Sequence, residues 1–377
     1  MKGYKSENIR NVALVGHGGS GKTTFLEAAL LATGVISRLG KVEDGNTVSD
    51  YDKMEIEKGY SISTSIVPVE YNNVKINFVD TPGFFDFVGE VNSALRAVEA
   101  AAILVDASAG IQVGTEKAWN SCKEFGIPKF FLINKTDKDN VDVDKVIADL
   151  KDKFGTSVVT LDDKEAMTEA IAETDEVLME KFFSGEEFTD DEFNHGLSHG
   201  IGSGDIVPVL ACSSVKGDGI TDVLDDFIKF VPTPAEHEDY DAKNDADEDI
   251  KIKVDPAGKP AAFVFKTIAD PFLGKISLAK VISGTLKSGQ EIYNARAQKS
   301  EKLGSMFFMR GKNQVEAPVV EAGDIVAIAK LQFTKTGDTL CEKANIVKFP
   351  PVKFPAPALY IAIEPKDKGD DEKVGTG

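Results

Sequence analysis

The sequence predicts an α/β domain, with a mostly parallel sheet and helices on both faces, followed by an all-β barrel domain. Apolar strand-like runs at 74–79, 102–105, 130–133 and 206–211 alternate with helical patterns and end at polar or Gly-bearing loops. A Pro-bearing acidic stretch breaks this pattern after residue 231. Beyond it, short apolar runs are separated by Gly-bearing turns, the pattern of a small barrel.

The first strand, Asn11-Val12-Ala13-Leu14-Val15, runs directly into Gly16-His17-Gly18-Gly19-Ser20-Gly21-Lys22-Thr23. This fits G-x-x-x-x-G-K-[ST], a loop that wraps phosphates. A helix follows, with Phe25, Leu26, Ala29 and Leu30 on one face. The glycines let backbone N–H groups converge on anionic oxygens, and the helix N-terminus adds positive potential. Lys22 is expected to reach the β- and γ-phosphates, Thr23 to bind Mg²⁺ through its hydroxyl, and Thr24 to close the cradle.

In an open α/β sheet, ligands gather at the carboxyl ends of strands. The other motifs fall at such ends. Asp80-Thr81-Pro82-Gly83 follows the strand ending at Val79, and Asp80 is expected to hold Mg²⁺ through water. The Gly83 N–H is placed to sense a γ-phosphate. Asn134-Lys135-Thr136-Asp137 follows the strand at 130–133. The Asp137 carboxylate can accept from the N1–H and 2-amino group of guanine, a donor pair that adenine lacks. Asn134 is expected to brace neighbouring loops and the Lys135 stem to cover the base. Cys212-Ser213-Ser214-Val215 follows the strand at 209–211, and a turn of Ser213, Ser214 and Val215 can aim a backbone N–H at guanine O6. The charged stretch 50–62, with Gly59, lies where a mobile switch loop belongs, and Ser61 is its candidate second hydroxyl on Mg²⁺.

A chain of 377 residues, 42% hydrophobic, is long enough for two or three domains. A net charge of -19 excludes bulk attraction to nucleic acid, so any RNA must be met by a local patch or a protein neighbour. Lys302, Arg310 and Lys312 form only a thin basic cluster, read as a solvated face. Cys122, Cys212 and Cys341 are scattered without a C-x-x-C pair, which argues against a zinc or disulfide framework and fits a reducing cytoplasm. No signal peptide and no membrane-spanning stretch are expected. The expected divisions are 1–232 for the first domain, 233–260 for a linker and the start of the barrel, 261–355 for the barrel, and 356–377 for the start of a third domain. The acidic run 236–249 reads as exposed linker, and 358–363 as a last strand.

Taken in order, these motifs resemble the translational GTPases. Lys58-Gly59-Tyr60-Ser61-Ile62 is similar to that family's R-G-I-T-I switch. Within the family the resemblance is to elongation factor G, on Asp86-Phe87-Val88-Gly89-Glu90-Val91, Val281-Ile282-Ser283-Gly284-Thr285-Leu286, Thr336-Gly337-Asp338-Thr339-Leu340 and Ala362-Ile363-Glu364-Pro365-Lys366. It implies a P-loop GTPase domain, a barrel domain II and an N-terminal fragment of a longer, monomeric factor. It also implies GTP/GDP and Mg²⁺ as cofactors and the ribosome as partner. Three departures stand out. Phe84 replaces the family's catalytic histidine, Gly19 replaces its usual aspartate, and the insert near 155–204 is short. They point to an elongation factor G-like paralogue and to slow intrinsic hydrolysis, because phenylalanine cannot hydrogen-bond to water in that way. A non-translocating or poorly hydrolysing ribosome-binding regulator and a ribosomal protection-type GTPase are the alternatives.

Overall fold

The computed structural model describes residues 3–270, 273–357, 359–365 and 369. Its first domain is built on strands β1 (Ile9–Gly16), β2 (Ser65–Tyr71), β3 (Val74–Asp80), β4 (Ala100–Asp106), β5 (Lys129–Asn134), β6 (Val158–Thr160) and β7 (Val207–Ala211). They form one sheet in the order β2-β3-β1-β4-β5-β7-β6. Every pair is parallel except β2 with β3.

Apolar side chains on both faces of the central strands explain the near-continuous apolar runs. Val12, Leu14, Ala102, Leu104, Phe130 and Leu132 point to one face. There they meet Phe25, Leu26 and Leu30 of α1 (Lys22–Ala32). Ala13, Val15, Ile103, Val105, Phe131 and Ile133 point to the other face, with α3 (Val88–Leu95), α4 (Val113–Phe125) and α5 (Val143–Phe154). A short α2 (Lys53–Lys58) lies between α1 and β2. The stretch 155–204 carries α6 (Lys164–Ala172), α7 (Glu176–Ser184) and α8 (Asp190–Ser203). Helix α9 (Ile220–Phe230) closes the domain, burying Ile220, Val223, Leu224, Phe227 and Phe230 along one stripe.

The second domain is all-β. Eight strands lie in the order Lys299–Lys302, Glu291–Asn294, Thr339–Cys341, Ala261–Asp270, Gly274–Ser283, Ile325–Ala329, Met306–Arg310 and Asn313–Glu316. All the pairings are antiparallel. They wrap around Val264, Val281, Leu286, Ile292, Leu303, Phe308, Ile328 and Leu340.

Three expectations are corrected. The acidic run 236–249 is not simply exposed linker, since Tyr240–Lys243 pairs with Asp249–Ile252 as a hairpin. Tyr240 stacks on His237 at 4.2 Å and donates to Glu99 at 3.3 Å, which fastens the hairpin to the first domain. Arg310 is not a solvated charge, because its Nε donates to the Pro68 carbonyl at 3.3 Å. The strand expected over 358–363 begins on a residue outside the described ones, and the remainder, 359–363, carries no strand. A lone strand has no ladder partner to stabilise it. Lys366 and 370–373 also lie outside the described residues.

The two domains meet through buried polar groups. Lys75 donates to both carboxylate oxygens of Asp324 at 2.9 Å, and Lys280 donates to Glu99 at 2.7 Å. Asn77 links Asn11 at 2.7 Å to Asp324 at 3.0 Å, and Asn11 donates to Glu99 at 2.6 Å. Among these, neither Lys75, Lys280 nor Glu99 shows more than 1% of its surface.

Candidate functional site

Four loops at the carboxyl ends of β1, β3, β5 and β7 converge. The first turns after β1 and enters α1 through Gly21, whose φ of +94° suits only glycine without strain. A Cβ there would strike the Asn134 side chain. Lys22 is buried, and its ammonium donates to the Gly16 and His17 carbonyls at 3.1 and 3.0 Å. Burial lowers its pKa to about 8, against the opposing pull of Asp80 and Asp50. Gly83 abuts this loop so closely that a Cβ would come within 2.6 Å of the Gly18 amide nitrogen and of Lys22 Nζ.

Around Thr23 the oxygens cluster. Its hydroxyl donates to Asp80 Oδ2 at 2.9 Å and lies 3.3 Å from the Ser61 hydroxyl. Ser49 donates to the same Asp80 oxygen at 2.8 Å. Asp80 Oδ1 and Asp50 Oδ2 are both buried and make no hydrogen bond to any described residue. Burial pushes both carboxyls above the usual aspartate range. The charge of Asp80 raises Asp50 further, while Lys22, Ser49 and Thr23 pull Asp80 down. Two orphaned carboxylate oxygens beside three hydroxyls are hard oxygen donors with unmet demand, a donor set of the chemistry Mg²⁺ takes.

Local chemistry brings Ser61 to this place. Asp52 and Glu55 form a capping box on α2, and Gly59 ends the helix at φ +71°. Glu55 Oε1 then accepts the Ile62 and Ser63 amides, each at 3.0 Å, folding the chain back. Near the start of the same segment, buried Glu27 accepts the Gly40 and Val48 amides at 3.1 and 2.6 Å.

Asn134 is the brace at the opposite end. Its Nδ2 donates to the Ser20 and Gly21 carbonyls at 3.2 and 3.4 Å. Its Oδ1 accepts the Ser214 amide at 3.1 Å and the Ser214 hydroxyl at 2.9 Å. The Ser213 hydroxyl donates to Asp137 at 2.6 Å. The Ser213 amide donates to the Asp218 carbonyl at 2.9 Å, so the amides of Ser213 and Ser214 are both engaged within the turn. Lys135 spans the cleft, its ammonium on Gly19 O at 2.6 Å and Asp106 Oδ2 at 2.7 Å. Burial works against the Asp106 charge, yet the Lys135 and Ser108 hydrogen bonds hold its carboxyl well below the usual range.

Gly16 ends β1, Gly18, Gly19 and Ser20 lie in the loop after it, Thr24 lies in the first turn of α1, and His17 Nδ1 accepts the Gly114 amide at 3.3 Å. Phe84 is 44% exposed and packs on Tyr60 at 4.6 Å between ring centres. Sequence reasoning missed Ser49, Asp50 and Asp106 as members of the site. Asp106 stands at the carboxyl end of β4, where the rule that located the other motifs would have found it. Asp50 opens the stretch 50–62 read as a switch loop but was not singled out in it, and Ser49 lies just before that stretch.

Residues 7–233 match the family of the elongation factor Tu GTP binding domain, and residues 259–343 match elongation factor G domain 2. The chain belongs to the translational GTPases and is elongation factor G-like. The chain is similar to a solved protein from Thermus thermophilus, ttk003000868, at 29% identity and a TM-score of 0.82. The match covers 98% of this chain and 60% of that one, so this chain spans about 60% of that protein's length. No helix among the described residues is long and apolar enough to cross a membrane.

Proposed function

We propose that this chain binds GTP and GDP with Mg²⁺ and acts as a ribosome-associated switch in the cytoplasm, hydrolysing GTP slowly when alone. The observation that carries the reading is Asn134, which bridges the carbonyls of Ser20 and Gly21 to Ser214 and so joins the phosphate cradle to the base-reading turn. In this reading Asp137, steadied by Ser213, accepts two hydrogen bonds from guanine, the Val215 amide donates to O6, and Lys135 covers the ring. The amides of residues 16–24 and the Lys22 ammonium take the phosphates. Lys22 exchanges two neutral carbonyl partners for anionic oxygens, and its proton is held more firmly there. Thr23, Ser61 and Asp80, with Asp50 and Ser49 beside them, would hold Mg²⁺, which neutralises charge developing on the phosphoryl oxygens.

Gly83 faces the γ-phosphate side, but the next side chain, Phe84, has no group to orient an attacking water. A ribosomal or backbone group would complete that site. Exposed, non-hydrogen-bonding Phe84 also favours the second reading, a ribosome-binding regulator that hydrolyses poorly. Titration with fluorescent GDP, GTP and ATP in magnesium buffer tests the first reading, and ATP binding as tight as GTP would overturn it. Single-turnover hydrolysis with and without ribosomes separates the two. Stimulation by ribosomes supports the switch, and its absence in a chain that binds GTP supports the regulator.

A further inference from the structure

The segment that carries Ser49, Asp50 and Ser61 is gripped by the barrel at both ends. At its C-terminal end stands Lys266, from barrel strand Ala261–Asp270. The strand's register against its neighbour shifts between Val264 and Lys266, a bulge of the kind that re-aims a side chain. Lys266 is 6% exposed. Its ammonium donates to the Ser63 hydroxyl, to the Thr64 carbonyl at 2.9 Å and to Glu90 Oε2 at 2.5 Å. Glu90 belongs to α3, just beyond Gly83, and the same oxygen accepts the Thr64 amide at 2.6 Å. The Thr64 hydroxyl donates to the Glu90 carbonyl at 3.2 Å. One barrel lysine therefore ties together the two segments that flank the oxygen cluster.

At the N-terminal end the barrel turn at Gly311 lies against Val48. Gly311 has a φ of +55°, and a Cβ there would collide with the Val48 carbonyl oxygen. Its amide donates to Ile66 at 3.1 Å. The Ser65 hydroxyl, between these contacts, donates to the Ser49 carbonyl at 2.7 Å.

We propose that the barrel is a positioning element of the nucleotide–cation site, acting through Lys266 on segment 48–64 and on Glu90. This rests on the reading of the site given above. Lys266 touches none of the groups assigned to ligand. It acts by satisfying acceptors that exist together only when the segment is folded against α3. A buried ammonium losing two of its three partners is strongly disfavoured, so the docked barrel favours the arrangement that places Ser61 and Asp50 at the cluster. Linkage makes the effect reciprocal: whatever fixes Ser61 and Asp50 must also steady the barrel at Lys266.

The test uses the full chain, fluorescent GDP and the β,γ-imido analogue of GTP, all with Mg²⁺. Lys266→Met is expected to weaken the analogue about tenfold while GDP changes less than about twofold, and Lys266→Arg to recover most of the loss. A wild-type chain that binds neither nucleotide overturns the reading of the site and this inference with it. Wild-type binding with equal or no loss in Lys266→Met overturns the inference alone. Should Lys266→Met fail to fold, hydrogen exchange on the wild type decides. The analogue, relative to GDP, should slow exchange across 261–270 and at 63–64, and unchanged protection there overturns the coupling.

Discussion

In the proposed site the Asp137 carboxylate offers only acceptors, so the base it would select is set by the donors that face it. Asp137→Asn turns one of the two acceptors into a donor facing the guanine 2-amino group, so one charge-assisted hydrogen bond becomes a donor–donor clash and the other loses its charge, each change costing about 1.5–3 kcal/mol. GTP affinity is expected to fall by roughly two to four orders of magnitude, while xanthosine triphosphate, with a carbonyl in place of the amine, gains. Competition titration with both nucleotides checks this. Asp50 gives a pH signature. Its carboxyl titrates above the ordinary range, because burial and then the Asp80 charge disfavour ionisation. The folded state therefore holds the proton more firmly than the unfolded one. Stability from this group is full below the unfolded value of about 3.9 and is lost as pH rises through the raised folded value. Asp50→Asn removes that loss. At pH 7.5 the nucleotide-free variant should be more stable than the wild type, on the order of 1 kcal/mol, with the gap closing toward pH 4. Urea denaturation at several pH values measures it. The loops proposed to take phosphate and base stood out in the sequence because each is a run of adjacent residues of fixed type. Asp50 did not, because its meaning comes from Asp80, which is distant in the chain and reaches the cluster from the end of β3.

At the scale of elements, helix α9 covers the sheet with a single stripe of side chains. Phe227 is fully buried, with ring centres of Phe130, Phe78 and Phe25 at 5.6, 6.1 and 6.4 Å. Phe227→Ala should cost about 3–5 kcal/mol, read as a lowered denaturant midpoint with the m-value unchanged. Nucleotide affinity should hold wherever the domain is folded, since none of these four rings belongs to a residue assigned to ligand. The parallel strands and α1 were visible in the sequence through unbroken apolar runs and a 3.6-residue period. The hairpin at 240–252 was hidden by its acidic composition. Tyr240, Ala242, Ile250 and Ile252 alternate there, but four-residue strands give too few repeats to outweigh the charge.

For the molecule as a whole, the seam between the domains is its most exacting region. Lys280 and Glu99 are both fully shielded, and Lys280→Met leaves a buried carboxylate without its cation. The loss should be about 3–5 kcal/mol, and Glu99→Gln combined with Lys280→Met should restore much of it. Calorimetry of the three chains resolves the difference. None of this seam could be read from the sequence, because Lys280 and Glu99 lie 181 positions apart and Lys75 and Asp324 lie 249 apart. Each reads locally as an ordinary surface charge.

The tail beyond the barrel has a practical consequence. Leu359, Tyr360, Ile361 and Ile363 stand 74–86% open to water. Such a stretch is an open apolar strip on this chain: light scattering is expected to grow with concentration and with sulfate before either domain melts, and a flat trace would speak against it.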